Sequence, residues 1–304
     1  EGVLVRDAQP CYYVYRLRMG EHTQTGLVAA ASIHAYDTNR IRRHEFTRPD
    51  KEDDRVRQIE ALNAQTGPVL LACHSNVEVN AILARVTAGD PDIDLVADDG
   101  IGHTLWVVQD QRTLDDITQR FDAMPALYIA DGHHRSAAAS RVAAQRGIAG
   151  DAGVFLTVIF PHDQMLILDY NRVVRDLSGQ TPEVFLARIS ERFRVSPSES
   201  PVSPAGPGSF GMYLAGQWYA LAIAPEFVPA DPVGRLDVSV LAENLLAPLL
   251  GIEDPRRDSR IDFVGGIRGL EALEQRVDSG EMAVAFSMYP TQMEDLMAVA
   301  DAGE

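Results

Sequence analysis

One short stretch, Tyr128 to Ala139, has the pattern of an apolar strand, a tight polar turn and an alanine-rich helix. The turn, Asp131-Gly132-His133-His134-Arg135, places a carboxylate, two imidazoles and a guanidinium almost side by side. Glycine reaches backbone angles that other residues resist, and the helix directs its first free N–H groups and positive dipole end at the turn. Such a turn favours anions, phosphate above all. The phosphate- or nucleotide-binding residues predicted here are Gly132, His133, His134, Arg135 and Ser136.

The plainer alternative is that Asp131 only caps the helix and that the histidines lie on the surface. A cap needs one oxygen acceptor, so this alternative leaves both imidazoles and the guanidinium of Arg135 without a role. We therefore favour the anion site.

A second polar segment, Ile41 to Arg55, combines both charge signs with a histidine and a threonine. It is either a solvated loop that leads into a helix or the other half of a site. As half of a site, it offers a carboxylate, Glu45, that can accept a proton from a substrate hydroxyl. Charge contacts to phosphate or substrate are predicted for Arg43, His44, Thr47, Lys51, Arg55 and, from a later strand, Arg172. Asp54 or Glu45 can hold a divalent metal ion through oxygen.

The charge balance limits the class of partner. The net charge of −17 at pH 7 repels a nucleic-acid backbone, and the sequence has no long run of Lys or Arg. No apolar run is long enough to span a membrane. Cys11 and Cys73 are the only cysteines, so a reducing cytoplasm is expected. The expected partners are therefore small molecules, with no nucleic acid and no membrane.

The mixture of hairpins and crossover helices predicts an α+β fold with mixed sheets rather than a doubly wound fold. Strands are predicted over 11–17, 26–36, 68–74, 93–98, 102–108, 154–160, 165–174, 211–215, 217–223, 260–266 and 282–289. Helices are predicted over 54–65, 76–87, 113–121, 136–146, 182–193, 238–250, 269–279 and 291–302. The strand over 165–174 is expected beside the strand over 154–160. A Ser/Pro/Gly-rich loop, 196–208, is expected to separate an α+β core, 1–195, from a C-terminal α+β region, 209–304.

Familiar nucleotide and hydrolase motifs are missing from the sequence. It contains no Walker loop, no Rossmann glycine turn, no GxSxG elbow and no HExxH pair. Because His133 and His134 are adjacent, they point apart in regular structure and do not imply a shared metal.

The two polar motifs resemble a known family. Tyr128 to Ala139 resembles the hallmark of the bacterial and archaeal family called domain of unknown function 1015 (DUF1015), and Arg42–Thr47 with Lys51–Arg55 is similar to its other signature. The segments Tyr12–Tyr15, Asp258–Ile261 and Ala285–Pro290 also fit that family. The turn further resembles that of the ParB/sulfiredoxin-like group, which includes nucleotide-hydrolysing partition proteins and free-serine kinases. The resemblance implies a ParB/sulfiredoxin-like core around the turn, with a smaller C-terminal α+β part.

The same resemblance implies phosphoryl transfer from ATP to a small hydroxyl compound, with free L-serine as the preferred acceptor. Such transfer depends on positioning and charge neutralisation. In this interpretation the catalytic residues are Glu45 as the base, with Asp131 as the next candidate, and His134, while Asp54 or Asp131 helps to hold Mg²⁺. The two polar segments should then face each other across one cleft.

Two other functions stay open at this point. One is a regulatory protein that binds a nucleotide without catalysis. The other is a metal-dependent hydrolase built on His44, Glu45, Asp131, His133 and His134.

Overall fold

A computed structural model describes residues 6–147 and 150–303. Contacts within the chain define two compact units. The first contains the described residues up to Leu166 and those from Leu296 onward, and the second is Ile167–Asp295. The predicted α+β class is confirmed, because one unit holds an eight-stranded sheet and the other a six-stranded sheet, each with helices. The eight-stranded sheet contains both parallel and antiparallel pairs, as predicted, whereas the described pairs of the six-stranded sheet are all antiparallel.

The eight-stranded sheet of the first unit has the order β3-β7-β4-β8-β2-β1-β6-β5. Its strands are β1 (Tyr12–Met19), β2 (His22–Ser32), β3 (Ile41–Arg42), β4 (Val69–Cys73), β5 (Ile93–Val96), β6 (Gly102–Val108), β7 (Leu127–Asp131) and β8 (Val154–Pro161). Its helices are α1 (Ile33–Asp37), α2 (Pro49–Leu62), α3 (Val77–Val86), α4 (Gln111–Asp122) and α5 (His133–Arg146). Strands β3 and β7 pair in parallel, Arg42 opposite Tyr128, so the two polar segments start from neighbouring strands.

Helix α5 packs closely because its inward side chains are small. Ala137, Ala138, Ala139 and Ala143 are all buried, and the absence of bulk lets a helix backbone approach its neighbours. Ala138 and Val142 meet Val56 of α2 in one apolar cluster. The alanine run therefore fixes where α5 begins relative to the start of α2.

The six-stranded sheet of the second unit has the order β10-β12-β11-β14-β9-β13. Its strands are β9 (Tyr170–Val174), β10 (Phe193–Ser198), β11 (Ser209–Leu214), β12 (Gln217–Ile223), β13 (Ile261–Gly265) and β14 (Val284–Met288). Its helices are α6 (Pro182–Ile189), α7 (Asp237–Leu241), α8 (Ala247–Leu250) and α9 (Glu271–Asp278), with a π-helical turn at Ala242–Leu246. The last helix, α10 (Met293–Ala302), spans the division at Asp295.

Several local predictions need correction. The strand predicted over 26–36 ends at Ser32, whose hydroxyl caps α1 by accepting the Ala35 N–H. Helix α2 starts at Pro49 rather than at Asp54, because proline suits the first helical turn, where an N–H has no partner.

Two further predictions fail for lack of a local signal. The strand predicted over 165–174 was placed beside its predecessor, but β9 pairs with β13 and β14 in the other sheet. The predicted loop 196–208 begins in β10, which pairs with β12. The expected division of the chain thus falls inside the second unit, and the contacts divide the chain at Leu166. None of the described helices has the length and apolar character needed to cross a membrane.

Candidate functional site

The turn between β7 and α5 leaves the start of the helix uncapped by any side chain. Gly132 is the N-cap, with a φ of 101°, and within the described residues no side-chain hydrogen bond caps the start of α5. The Oδ2 of Asp131 is paired instead with Nη2 of Arg135. The alternative of a simple Asp131 cap is therefore wrong.

His133 is the buried polar group of the turn. It is 3% exposed, and burial, followed by the neighbouring His44, lowers its pKa from 6.5 to about 4. Its Nε2 has no hydrogen-bond partner among the described residues. Its Nδ1 lies 3.5 Å from Oε2 of Glu45. At neutral pH the imidazole is therefore uncharged and keeps one ring nitrogen free to bind.

His44 supports His133 from the side. The two rings meet edge to face with 4.6 Å between their centroids. Burial lowers the pKa of His44 as well, although Glu45 and a hydrogen bond to the Ile129 backbone oppose the shift. Two neutral imidazoles thus lie beside one carboxylate.

Glu45 stands at the edge of a pocket of about 280 Å³, which we call the Glu45 pocket. It is lined by Asn39, Arg43, Glu45, Phe46, Thr47, Ala300 and Gly303. The Glu45 side chain is 58% exposed. Arg43 is oriented by Tyr36, because its guanidinium lies 5.0 Å from the ring centroid and donates to the phenol oxygen at 3.3 Å. The pocket therefore presents a carboxylate and a held cation to a small polar molecule.

The two polar segments lie against each other, as the sequence predicted. The backbone N–H of Arg48 donates to Nε2 of His134 at 3.1 Å, so this ring nitrogen is an acceptor and is not free to donate to phosphate. Thr47 donates to Glu52, which also pairs with Arg141 of α5 at 3.2 Å. His134 thus joins the start of α5 to the start of α2, whereas Thr47 orients Glu52, which joins α2 to Arg141 farther along α5. The predicted catalytic role of His134 and the predicted charge contact of Thr47 remain proposals, and either role would require these hydrogen bonds to break or to be shared.

Other predicted residues lie in different surroundings. Ser136 is fully buried and donates its hydroxyl to the carbonyls of Gly132 and His133, so its predicted place in the phosphate site stays a prediction. Arg172 belongs to β9 in the second unit and lies over the rings of Tyr170 and Phe263, where burial lowers its pKa to about 10. Its donor bond goes to the Tyr170 carbonyl.

The candidate metal ligands are largely occupied by cations. Asp54 has Oδ2 3.7 Å from Arg55 and Oδ1 3.6 Å from Arg57. Lys51 is exposed on the same helix and forms no ion pair with the part of the chain that is described. Within 6–147 and 150–303, no group of three or more His, Cys, Asp or Glu side chains is arranged to hold a metal. Asp131 remains 73% exposed beside Arg135, so it fits an ion brought by phosphates better than an ion held by protein alone.

Sequence reasoning missed Tyr36, which orients Arg43, and Arg141, which joins α5 to Glu52 and Asp53 of α2. No local signal marks either residue, because each meets its partner only through packing.

A protein-family model matches most of the chain. The family model described as "Protein of unknown function (DUF1015)" matches residues 1–239. No curated protein matches the chain. Among solved structures, it is similar to free serine kinase in complex with AMP, at 13% identity and a TM-score of 0.42, over 92% of this chain and 83% of that one.

Two further solved structures show similarity at the same level. A conserved hypothetical protein from Pyrococcus furiosus has 13% identity and a TM-score of 0.38, over 92% of this chain and 86% of that one. SbnI from Staphylococcus aureus, with a C-terminal truncation, has 10% identity and a TM-score of 0.40, over 91% and 78%. Likenesses with a TM-score below 0.5 carry no argument about activity. The family model, in contrast, covers well over half of the sequence, and the chain belongs to the DUF1015 family.

Proposed function

We propose that this protein is a small-molecule kinase that transfers phosphate from ATP to a hydroxyl group, with free L-serine as the preferred acceptor, in the cytoplasm. One observation carries the proposal: the Glu45 carboxylate borders a pocket and lies 3.5 Å from His133, the first residue of the uncapped helix α5. A base for a hydroxyl and a helix end for an anion thus adjoin each other.

The phosphate half of this site rests on the turn. The N–H groups that open α5 have no side-chain cap, and such a helix end attracts phosphate. Arg135 folds back over Gly132, so closely that a Cβ there would lie 3.0 Å from its Nε. The unpartnered Nε2 of His133 adds a further polar group. The transferred phosphoryl group is therefore proposed to bind between the start of α5 and the Arg135 guanidinium.

The acceptor half rests on the Glu45 pocket. Glu45 takes the proton of the substrate hydroxyl, the hydroxyl oxygen bonds to the terminal phosphorus of ATP, and the bond from that phosphorus to the bridging oxygen breaks to release ADP. A charged His133 would compete for the Glu45 carboxylate. The pKa of His133, near 4, keeps its ring neutral, so the imidazole forms no ion pair with the Glu45 carboxylate at neutral pH. Arg43 lines the same pocket and suits the carboxylate of an amino acid.

Mg²⁺ fits this site as an ion that accompanies the nucleotide, with Asp131 as the candidate protein ligand. Bound there, it would neutralise phosphate charge. Asp54 does not fit, because both of its oxygens face guanidinium groups. The core around the turn is proposed to be ParB/sulfiredoxin-like, on the pattern of Asp131 to Arg135 and on membership of the DUF1015 family.

The direct test is to incubate the purified chain with ATP, Mg²⁺ and L-serine and to follow phosphoserine and ADP by ³¹P NMR. We expect turnover in the wild type and a loss of about 100-fold or more in Glu45→Gln, the range for removal of a general base. Glu60→Gln is the matched control, because Glu60 is an exposed carboxylate on α2 outside the pocket. Full turnover in Glu45→Gln would refute the assigned base. Binding of nucleotide without transfer to any hydroxyl acceptor would favour a regulatory protein instead.

A further inference from the structure

A groove runs along one face of α5 and shares no lining residue with the Glu45 pocket, and we call it the α5 groove. It consists of two hollows, of about 340 Å³ and about 150 Å³, that share Ile59, Ala64 and Gln65 in their walls. From α5 it takes Arg135 in the smaller hollow and Ala139, Val142 and Arg146 in the larger. These positions are spaced by four, three and four residues, so they form one helix face, which spans about 16 Å.

The two ends of the α5 groove differ in chemistry. The smaller hollow contains two guanidinium groups, those of Arg55 and Arg135, and Arg135 is also the residue that folds over Gly132 in the turn. The larger hollow has an apolar wall at Ile59, Val142 and Phe155, and the charged residues Arg146 and Asp151 also line it. The groove therefore leads from a hollow with an apolar wall and charges of both signs to a cationic end, and the cationic end joins the proposed phosphate site.

The wall of the groove is fixed by Gln65. Its Nε2 donates to the Val154 carbonyl at 3.0 Å, and its Oε1 accepts the Leu156 N–H at 2.8 Å. These bonds attach the segment after α2 to strand β8, so the groove is formed before any ligand arrives. Because both ends of this amide bond to β8, the orientation of Gln65 is fixed. The larger hollow offers an occupant an apolar wall and, from Asn63, Arg146 and Asp151, polar groups.

A preformed apolar hollow with a few polar groups at one end is typical of a small-molecule site. We infer that the α5 groove holds the nucleoside of the phosphate donor, with the base against Val142 and Ile59 and the phosphates passing Arg55 and Arg135 to the turn. The role of this nucleotide as phosphate donor rests on the proposed function, whereas the binding of a nucleotide in the groove does not depend on it. It places donor and acceptor on opposite sides of the Asp131-to-Arg135 turn.

The test uses Ala64, which is exposed and lines both hollows where they meet. A tryptophan there should close the groove without touching the turn or Glu45. We expect Ala64→Trp in the full chain to weaken ADP binding at least tenfold by titration calorimetry and to change pyrophosphate binding less than twofold. Ala64→Leu should give a smaller loss of ADP affinity. Ala61→Trp is the matched control, since Ala61 is exposed on α2 but lies outside both hollows.

The outcomes separate this inference from the proposed function. If ADP affinity is unchanged in Ala64→Trp and serine phosphorylation is intact, the groove is not the nucleoside site, and the proposed kinase activity is supported. If Ala64→Trp loses ADP affinity selectively while the wild-type protein phosphorylates no acceptor, the result supports the groove as a nucleoside site and refutes the kinase. Equal loss of ADP and pyrophosphate affinity overturns the groove as a nucleoside site, because the damage then reaches the phosphate site.

Discussion

The buried His133 makes the stability of the first unit depend on pH. Burial lowers its pKa from 6.5 to about 4. Between pH 6.5 and pH 4, His133 is therefore mostly protonated in the unfolded chain and mostly neutral in the folded chain. Stability contributed by the neutral ring is therefore present at high pH and is lost as the pH falls through 6.5 toward 4. The complete loss corresponds to about 3 kcal/mol, and the part between pH 7 and pH 5 to about 2 kcal/mol.

Replacement of His133 by glutamine removes the titrating group while it keeps a polar side chain. We expect the free energy of unfolding of the first unit, measured in urea, to fall between pH 7 and pH 5 by about 2 kcal/mol more in the wild type than in His133→Gln. Trp106 lies in the first unit and Trp218 in the second, so Trp106 fluorescence in a Trp218→Phe background reports the relevant transition. His34→Gln, at an exposed histidine, should keep the full dependence. An equal loss in the wild type and in His133→Gln would refute the reasoning.

Three further predictions test the site. Arg43→Gln should raise the KM for serine about tenfold or more and leave ADP affinity unchanged by calorimetry, because Arg43 lines the Glu45 pocket and lies outside both hollows of the α5 groove; a shift in ADP affinity would contradict the two-sided arrangement. Gly132→Ala should lower the free energy of unfolding by about 1–2 kcal/mol, since Gly132 has a φ of 101° and its Cβ would press on Arg135; an unchanged urea midpoint would argue against strain at this turn. His134→Ala removes the acceptor of the Arg48 N–H, so amide exchange at the start of α2 should accelerate by an amount that corresponds to about 1 kcal/mol, with α3 as the internal reference; equal protection would show that His134 does not hold α2.

The central turn was accessible from the sequence because its determinants are local. Apolar residues before Asp131, a glycine at Gly132 and alanines after Arg135 specify a strand, a left-handed turn and a helix within a few residues. The orientation of the Ser136 hydroxyl was not accessible in the same way. In the folded helix this hydroxyl bonds back to carbonyls of the preceding turn.

The partners of these local elements were decided only by the tertiary structure. Glu45 reaches His133 because β3 pairs with β7, and strand pairing across many residues leaves no mark in a local pattern. The apolar strand β9 joined the second sheet for the same reason. The face of α5 with Ala139 and Val142 has the spacing of an ordinary core stripe, and only packing against α2 and β8 leaves a groove beside it. The sequence by itself therefore determined the strand, the left-handed turn and the helix around Gly132, whereas long-range packing determined which carboxylate and which cavity lie beside them.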